Sequence, residues 1–176
     1  RAYIRPRGSM MQLFTNSDLE QLQGAARSSK RGRKHHNLHR SFCDPCQRLV
    51  NCLSEGTYIQ PHLHDSSQGS ETLIILDGCA DLVIFNTFGD VTSLVRLDRA
   101  NADAVVAAVV APFSYHTVVS WSPNTALLEV KAGPFNPDNP KHLAEWAPSE
   151  HDEKSHTYLE SLKNGILNGD KSRIFL

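Results

Sequence analysis

The stretch GTYIQPHLHDSSQGSETLIILDG, residues 56–78, sets His62, His64 and Glu71 between two glycines, with apolar runs close on either side. Such a trio is either a turn that happens to be polar or a set of ligands converging on one ion. The surrounding pattern decides what carries it. Before the trio lies QRLVNCL, closed by Glu55-Gly56, then TYIQPHLH; after it come TLIIL, closed by Asp77-Gly78, and CADLVIF, closed by NTFGD. VTSLVRL, AVVAAVV, YHTVVSW and TALLEVK follow, each ended by turn residues. Short apolar or alternating runs at roughly ten-residue spacing, without an intervening helical period, predict eight strands and an all-β sandwich or small barrel. AVVAAVV is the uncertain member, because its alanines would also suit a helix.

On the predicted strand, His62 and His64 are two apart and share a face, while Leu63 points the other way. A hairpin return can bring the Glu71 carboxylate beside both imidazoles. His116, in APFSYHTVVSW, follows a proline turn and opens a later strand. Three imidazoles and one carboxylate form a mixed N/O donor set suited to a divalent first-row metal, with positions left for water or substrate. The identity of that metal (Fe, Mn, Ni or Zn) is open.

GTYIQPHLH…E…G resembles the first cupin motif, G-x5-H-x-H-x(3,4)-E-x6-G, with a loop before the glutamate two or more residues longer. APFSYH stands in the place of the second motif, P-x-G-x-x-H, with Ala111 for its first proline and Phe113 for its glycine. RKHHNLH, DPCQRLVNCL, HTVVS and LLEVKAGPFNP are similar to WbuC-type cupin metalloproteins, a bacterial family linked to surface polysaccharide gene clusters. The likeness covers about residues 17–148. It implies a cupin fold, the double-stranded β-helix or jelly-roll barrel, with short N- and C-terminal helices. It also implies that His62, His64, Glu71 and His116 are the metal ligands. Phe113 must then build the turn presenting His116 without a flexible residue, and Asp65, Ser66 and Ser67 enlarge the loop at the pocket mouth.

Alternation places Tyr58 and Gln60 on the face of His62, and Ser120 on the face of His116, as residues that orient ligands, touch a substrate, or fill the barrel interior. Glu129 and Lys131 alternate together in the last strand and read as a charged pair on an exposed face. A rival metal site is Cys43 and Cys46 in C-x2-C spacing, with His35, His36 and His39 upstream, which would hold structural zinc. The four cysteines are otherwise read as reduced thiols.

The chain has 176 residues, 40% hydrophobic, enough for one globular domain with its own core. A formal net charge of −1 gives no global pull toward nucleic acid or membrane, and no apolar run is long enough to span a bilayer. Without a secretory signal pattern, the expected location is cytoplasmic. Locally the charge departs from that balance. Residues 27–40 carry six Lys and Arg and no acid. This segment is either a solvated arm or, through Arg31, Arg33 and Lys34, an electropositive lip for phosphate or carboxylate groups. It lacks the aromatic residues that stack bases.

Residues 1–9 read as an expression-tag remnant, 10–46 as an N-terminal helix and basic arm, 47–135 as the cupin barrel and 136–176 as a C-terminal extension. Ser17 with Glu20 suggests the cap of the first helix, and HTYLESLKNGIL suggests a second one that covers a sheet edge or packs across a homodimer. The expected partner is a small molecule, anionic or carbohydrate-related. The protein is then either a metal-dependent enzyme, isomerase- or epimerase-like or of dioxygenase type, or a non-catalytic sugar-binding or sensor cupin.

Overall fold

A computed structural model describes residues 11–65, 69–138 and 141–169; the tag-like segment 1–9 and the loop residues Ser66 and Ser67 lie outside them. Helix α1 (Asn16–Arg27) precedes β1 (Arg33–Asn37), β2 (Cys46–Leu53), β3 (His62–Leu63), β4 (Glu71–Asp77) and β5 (Cys79–Phe85). Then come β6 (Val91–Asp98), β7 (Ala107–Val110), β8 (Tyr115–Ser120), β9 (Thr125–Ala132), β10 (His142–Leu143) and α2 (Lys154–Leu167). All eight predicted runs contain a strand. The alanine-containing run is one too, over its second half.

The strands form two five-stranded antiparallel sheets, ordered β1-β2-β9-β4-β7 and β10-β3-β8-β5-β6. Between them Leu53, Leu73, Ile75, Leu82, Leu97, Val110, Val118 and Leu127 bury one face of each sheet. The outer faces are apolar as well. Leu19, Leu22 and Ala26 of α1 cover Val50, Cys52 and Ala126 on the first sheet. On the second, Tyr158, Leu159 and Leu162 of α2 cover Val83, Phe85, Val91 and Val119. Helix α2 therefore caps a sheet face rather than an edge. Gly78, at φ +68°, turns the chain from β4 into β5, and a Cβ there would sit 3.1 Å from the Thr125 Cα.

Three expectations change. The cap of α1 is Thr15, not Ser17: Asp18 N–H donates to Thr15 Oγ1 at 3.2 Å and Thr15 N–H to Asp18 Oδ2 at 2.8 Å, a reciprocal box one turn-fraction earlier. The basic segment is not a free arm, because Arg33–Asn37 pairs residue by residue with Leu53–Leu49 as the edge of the first sheet. Glu129 is not exposed. Its inward neighbours Leu127 and Lys131 share its face, and it is 8% accessible. Leu128, packing on α1, makes the opposite face the more apolar one in the sequence.

Candidate metal centre

The registers of the two sheets bring the histidines and glutamate together. In the second sheet, β3 lies against β8 so that His62 is directly opposite His116. In the first sheet, Glu71 opens β4 opposite Lys131 of β9. One donor atom from each of His62, His64, Glu71 and His116 lies within 4.8 Å of all the others. Among the described residues this is the one such group of three or more histidine, cysteine, aspartate or glutamate side chains. Glu71 and His116 are 4% and 2% accessible, and His62 is 9%.

The hydrogen bonds prepare this set for a cation. His62 Nδ1 lies 3.0 Å from the Gln60 carbonyl and His116 Nδ1 lies 2.9 Å from the Ser114 carbonyl. A carbonyl only accepts, so both Nδ1 atoms carry the proton and the Nε2 lone pairs point inward. Glu71 Oε2 lies 3.1 Å from His116 Nε2 and 3.2 Å from His64 Nε2. With the His116 proton on Nδ1, its Nε2 lone pair faces a carboxylate oxygen. A second proton on the ring or a metal cation reconciles that contact, and three imidazoles with one carboxylate suit a first-row divalent ion. Burial, reinforced by the Lys141 charge, holds His62 well below its usual pKa, as the neutral ring a ligand must be. Burial opposes charge on Glu71, yet its close contacts with the His116 and His64 rings and the Lys131 charge keep its carboxyl well below the usual range.

The turn that presents His116 places Phe113 at φ 60°, the conformation glycine would take. Its N–H donates to the His64 carbonyl at 3.1 Å, which ties the turn to the end of β3. Phenylalanine thus accepts the left-handed strain, on the order of 1–2 kcal/mol.

A cavity of about 770 Å³ opens over the four residues, within the range of small-molecule sites. Arg31, Arg33 and Lys34 line it, joined by Lys30, Lys131 and Lys141. Arg33 is committed: it donates to the Tyr58 carbonyl at 2.6 Å and pairs with Glu150 at 2.5 Å. Alternation missed Glu129 and Lys131 as cavity residues. Glu129 Oε2 accepts from Asn51 Nδ2 at 2.6 Å, and Oε1 lies 2.6 Å from Lys131 Nζ. Burial, then the charge of Glu71, pushes the Glu129 carboxyl up, against the pull of Lys131. The signal was the shared parity of Leu127, Glu129 and Lys131 in β9.

Tyr58, Gln60 and Ser120 do not reach the centre with their side chains. No strand runs through Thr57–Pro61, so parity fails there, and Ile59 faces the cavity instead. Tyr58 Oη donates to the Pro148 carbonyl at 2.8 Å, and Gln60 Nε2 donates to the Ala144 carbonyl at 3.0 Å. Gln60 acts on His62 through its own carbonyl. Ser120 keeps the face of His116 but lies four residues along β8, about 13 Å away at strand rise, where its hydroxyl oxygen is 2.9 Å from Ser122 O and 2.8 Å from Thr125 Oγ1. Among the described residues the C-x2-C pair gathers no third ligand either. His39 Nδ1 is engaged by the Arg48 backbone, His36 packs on Phe14 and His35 lines the cavity.

Residues 14–97 match a family described as a domain of unknown function (DUF6016), a span that includes His62, His64 and Glu71 but ends before His116. No curated protein matches the chain. Among solved structures, an uncharacterized conserved protein with a double-stranded β-helix domain from Klebsiella pneumoniae is 19% identical. The match covers 77% of this chain and 98% of that one, with a TM-score of 0.52. A cupin superfamily protein from Desulfitobacterium hafniense is 13% identical over 63% of this chain and 86% of its own, with a TM-score of 0.46. KdgF from Halomonas sp. is 13% identical over 63% and 87%, with a TM-score of 0.47. At such identities the likeness is one of fold. The chain folds as a double-stranded β-helix, all-β apart from two short helices among the described residues. None of its helices is long and apolar enough to cross a membrane, among the described residues.

Proposed function

We propose that this chain is a metal-binding cupin protein of the WbuC type that binds or acts on a small anionic or carbohydrate-related molecule. The site is a divalent metal held by His62, His64, Glu71 and His116. The observation that carries this reading is the convergence of four donor atoms within 4.8 Å at the floor of a cavity of ligand size. Two of the imidazoles are already locked by backbone carbonyls in the tautomer a metal needs. Bound there, the ion would polarise a ligand oxygen as a Lewis acid.

The chain's own residues do the rest. Leu73, Val118 and Leu127 wall the cavity with apolar surface, which excludes water and strengthens every charge interaction inside. The cations at the mouth draw an anion in. A catalytic role, isomerase- or epimerase-like or of dioxygenase type, is favoured over passive binding by Glu129 and Lys131, an acid and an amine on the cavity wall beside Glu71. A cytoplasmic homodimer is the setting this reading assigns, and light scattering of the purified protein checks its oligomeric state.

Elemental analysis tests the centre. Purified wild type is expected to hold stoichiometric first-row metal, His62→Ala to lose it, and Cys43→Ser/Cys46→Ser to keep it. Loss of metal in the cysteine variant, with retention in His62→Ala, would reverse the assignment.

A further inference from the structure

The cations around the cavity are not equivalent. Arg33 is held by Glu150 and the Tyr58 carbonyl, Arg31 lies 3.5 Å from the same Glu150, and Lys131 is paired with Glu129. Lys141 differs. Its side chain lines the cavity, and among the described residues its ammonium makes no hydrogen bond and no ion pair. It lies one residue before β10, where His142 is opposite Leu63 and Leu143 opposite His62. Lys141 thus enters the cavity at the β3 edge, beside the histidines. After burial, its charge is the largest influence on His62. Glu150 and Glu129 act on Lys141 from a distance, while Arg33 and Lys131 add positive field around it. A partly buried ammonium without a partner is unfavourable unless an anion joins it.

We propose that Lys141 is the anion-recognising residue of the cavity. It binds the carboxylate or phosphate of a small ligand whose neighbouring hydroxyl or carbonyl oxygens reach the space among His62, His64, Glu71 and His116. The ligand class is a sugar-sized acid or phosphate ester. An ammonium is a point charge that serves either anion, without the planar fork an arginine would impose. The second contact rests on the metal-binding reading; the first stands without it.

The test is calorimetric titration of wild type, Lys141→Gln, Lys141→Arg and the exposed control Lys154→Gln. The probes are glucuronate, glucose 6-phosphate and neutral glucose, each run on chelator-treated and metal-loaded protein. At least one anionic probe is expected to bind wild type far more tightly than glucose does, and which one binds separates carboxylate from phosphate. Lys141→Gln should weaken that binding tenfold or more, while Lys141→Arg and Lys154→Gln stay within threefold. Equal binding by Lys141→Gln, glucose binding as tight as that of the anions, or no anion binding to wild type would overturn the proposal. If anion binding depends on Lys141 but the protein takes up no metal, the metal reading fails alone. If metal is stoichiometric and binding ignores Lys141, this inference fails alone. A measurement on wild type guards against a variant that does not fold. Saturating anion should protect Lys141, but not Lys154, from acetylation by acetic anhydride, read by mass spectrometry; an unprotected Lys141 refutes the contact.

Discussion

Metal uptake should appear as folding stability, and its size can be worked out in advance. The four donor atoms already lie within 4.8 Å of one another, and two imidazoles are oriented by backbone carbonyls. Little reorganisation opposes binding, so its free energy reaches the folding equilibrium nearly in full. At free metal a hundredfold above Kd, the stabilisation is about 2.7 kcal/mol. For a chain of this length each kcal/mol moves Tm by about 2–4 °C, which predicts a rise of roughly 5–11 °C over chelator-treated protein. In His116→Ala, a site weakened a hundredfold would retain about 0.4 kcal/mol at the same metal concentration, a shift of about 1–2 °C. Calorimetric melting of both proteins, with Mn, Fe(II), Ni or Zn and with chelator, makes the comparison. A wild-type Tm indifferent to every metal, or a His116→Ala protein with the full wild-type shift, would refute the reasoning.

The buried Glu129–Lys131 pair predicts a non-additive cycle. Lys131→Met alone should cost about 3–5 kcal/mol by stranding acid groups in the barrel, and Glu129→Leu/Lys131→Met should recover much of it; urea unfolding of the set decides, and simple additivity would show the pair is not coupled. Leu159 is 2% accessible between α2 and the second sheet, so Leu159→Ala should cost about 2–5 kcal/mol, and a loss below about 1 kcal/mol would mean α2 is not part of the core. Glu150 feels burial, which raises its pKa, but Arg33 outweighs it and the folded value lies below the ordinary one. A depressed acid contributes stability above its unfolded pKa and loses it as pH falls through the folded one. The difference in stability between wild type and Glu150→Gln should therefore be constant near neutrality and shrink below about pH 4.5; a gap unchanged down to pH 3 would exclude the pairing.

The strands were legible because their apolar runs are short and turn-bounded, and the two helices because Leu19, Leu22 and Ala26, and Tyr158, Leu159 and Leu162, recur at helical spacing. Two of the four edge strands, β1 and β10, were not. Arg33–Asn37 reads as a charged arm, because an edge strand at a cavity mouth needs no apolar face, and β10 is two residues long. The cap moved from Ser17 to Thr15 because both offer a hydroxyl three residues before an acid, and local sequence does not rank them.

For the site, sequence by itself determined which residues carry ligand chemistry: two histidines and a glutamate around one loop, and a histidine after a proline turn. It determined that Phe113 stands where glycine is easiest, though not that the backbone takes φ 60° there regardless. Only the tertiary structure decided what meets what. His62 lies opposite His116 through a strand register set some fifty residues apart, and Glu129 turns inward because both faces of β9 are buried, one by the barrel and one by α1. Pairing is a property of distances between strands, and a sequence that alternates correctly still leaves open which of two covered faces looks into the cavity.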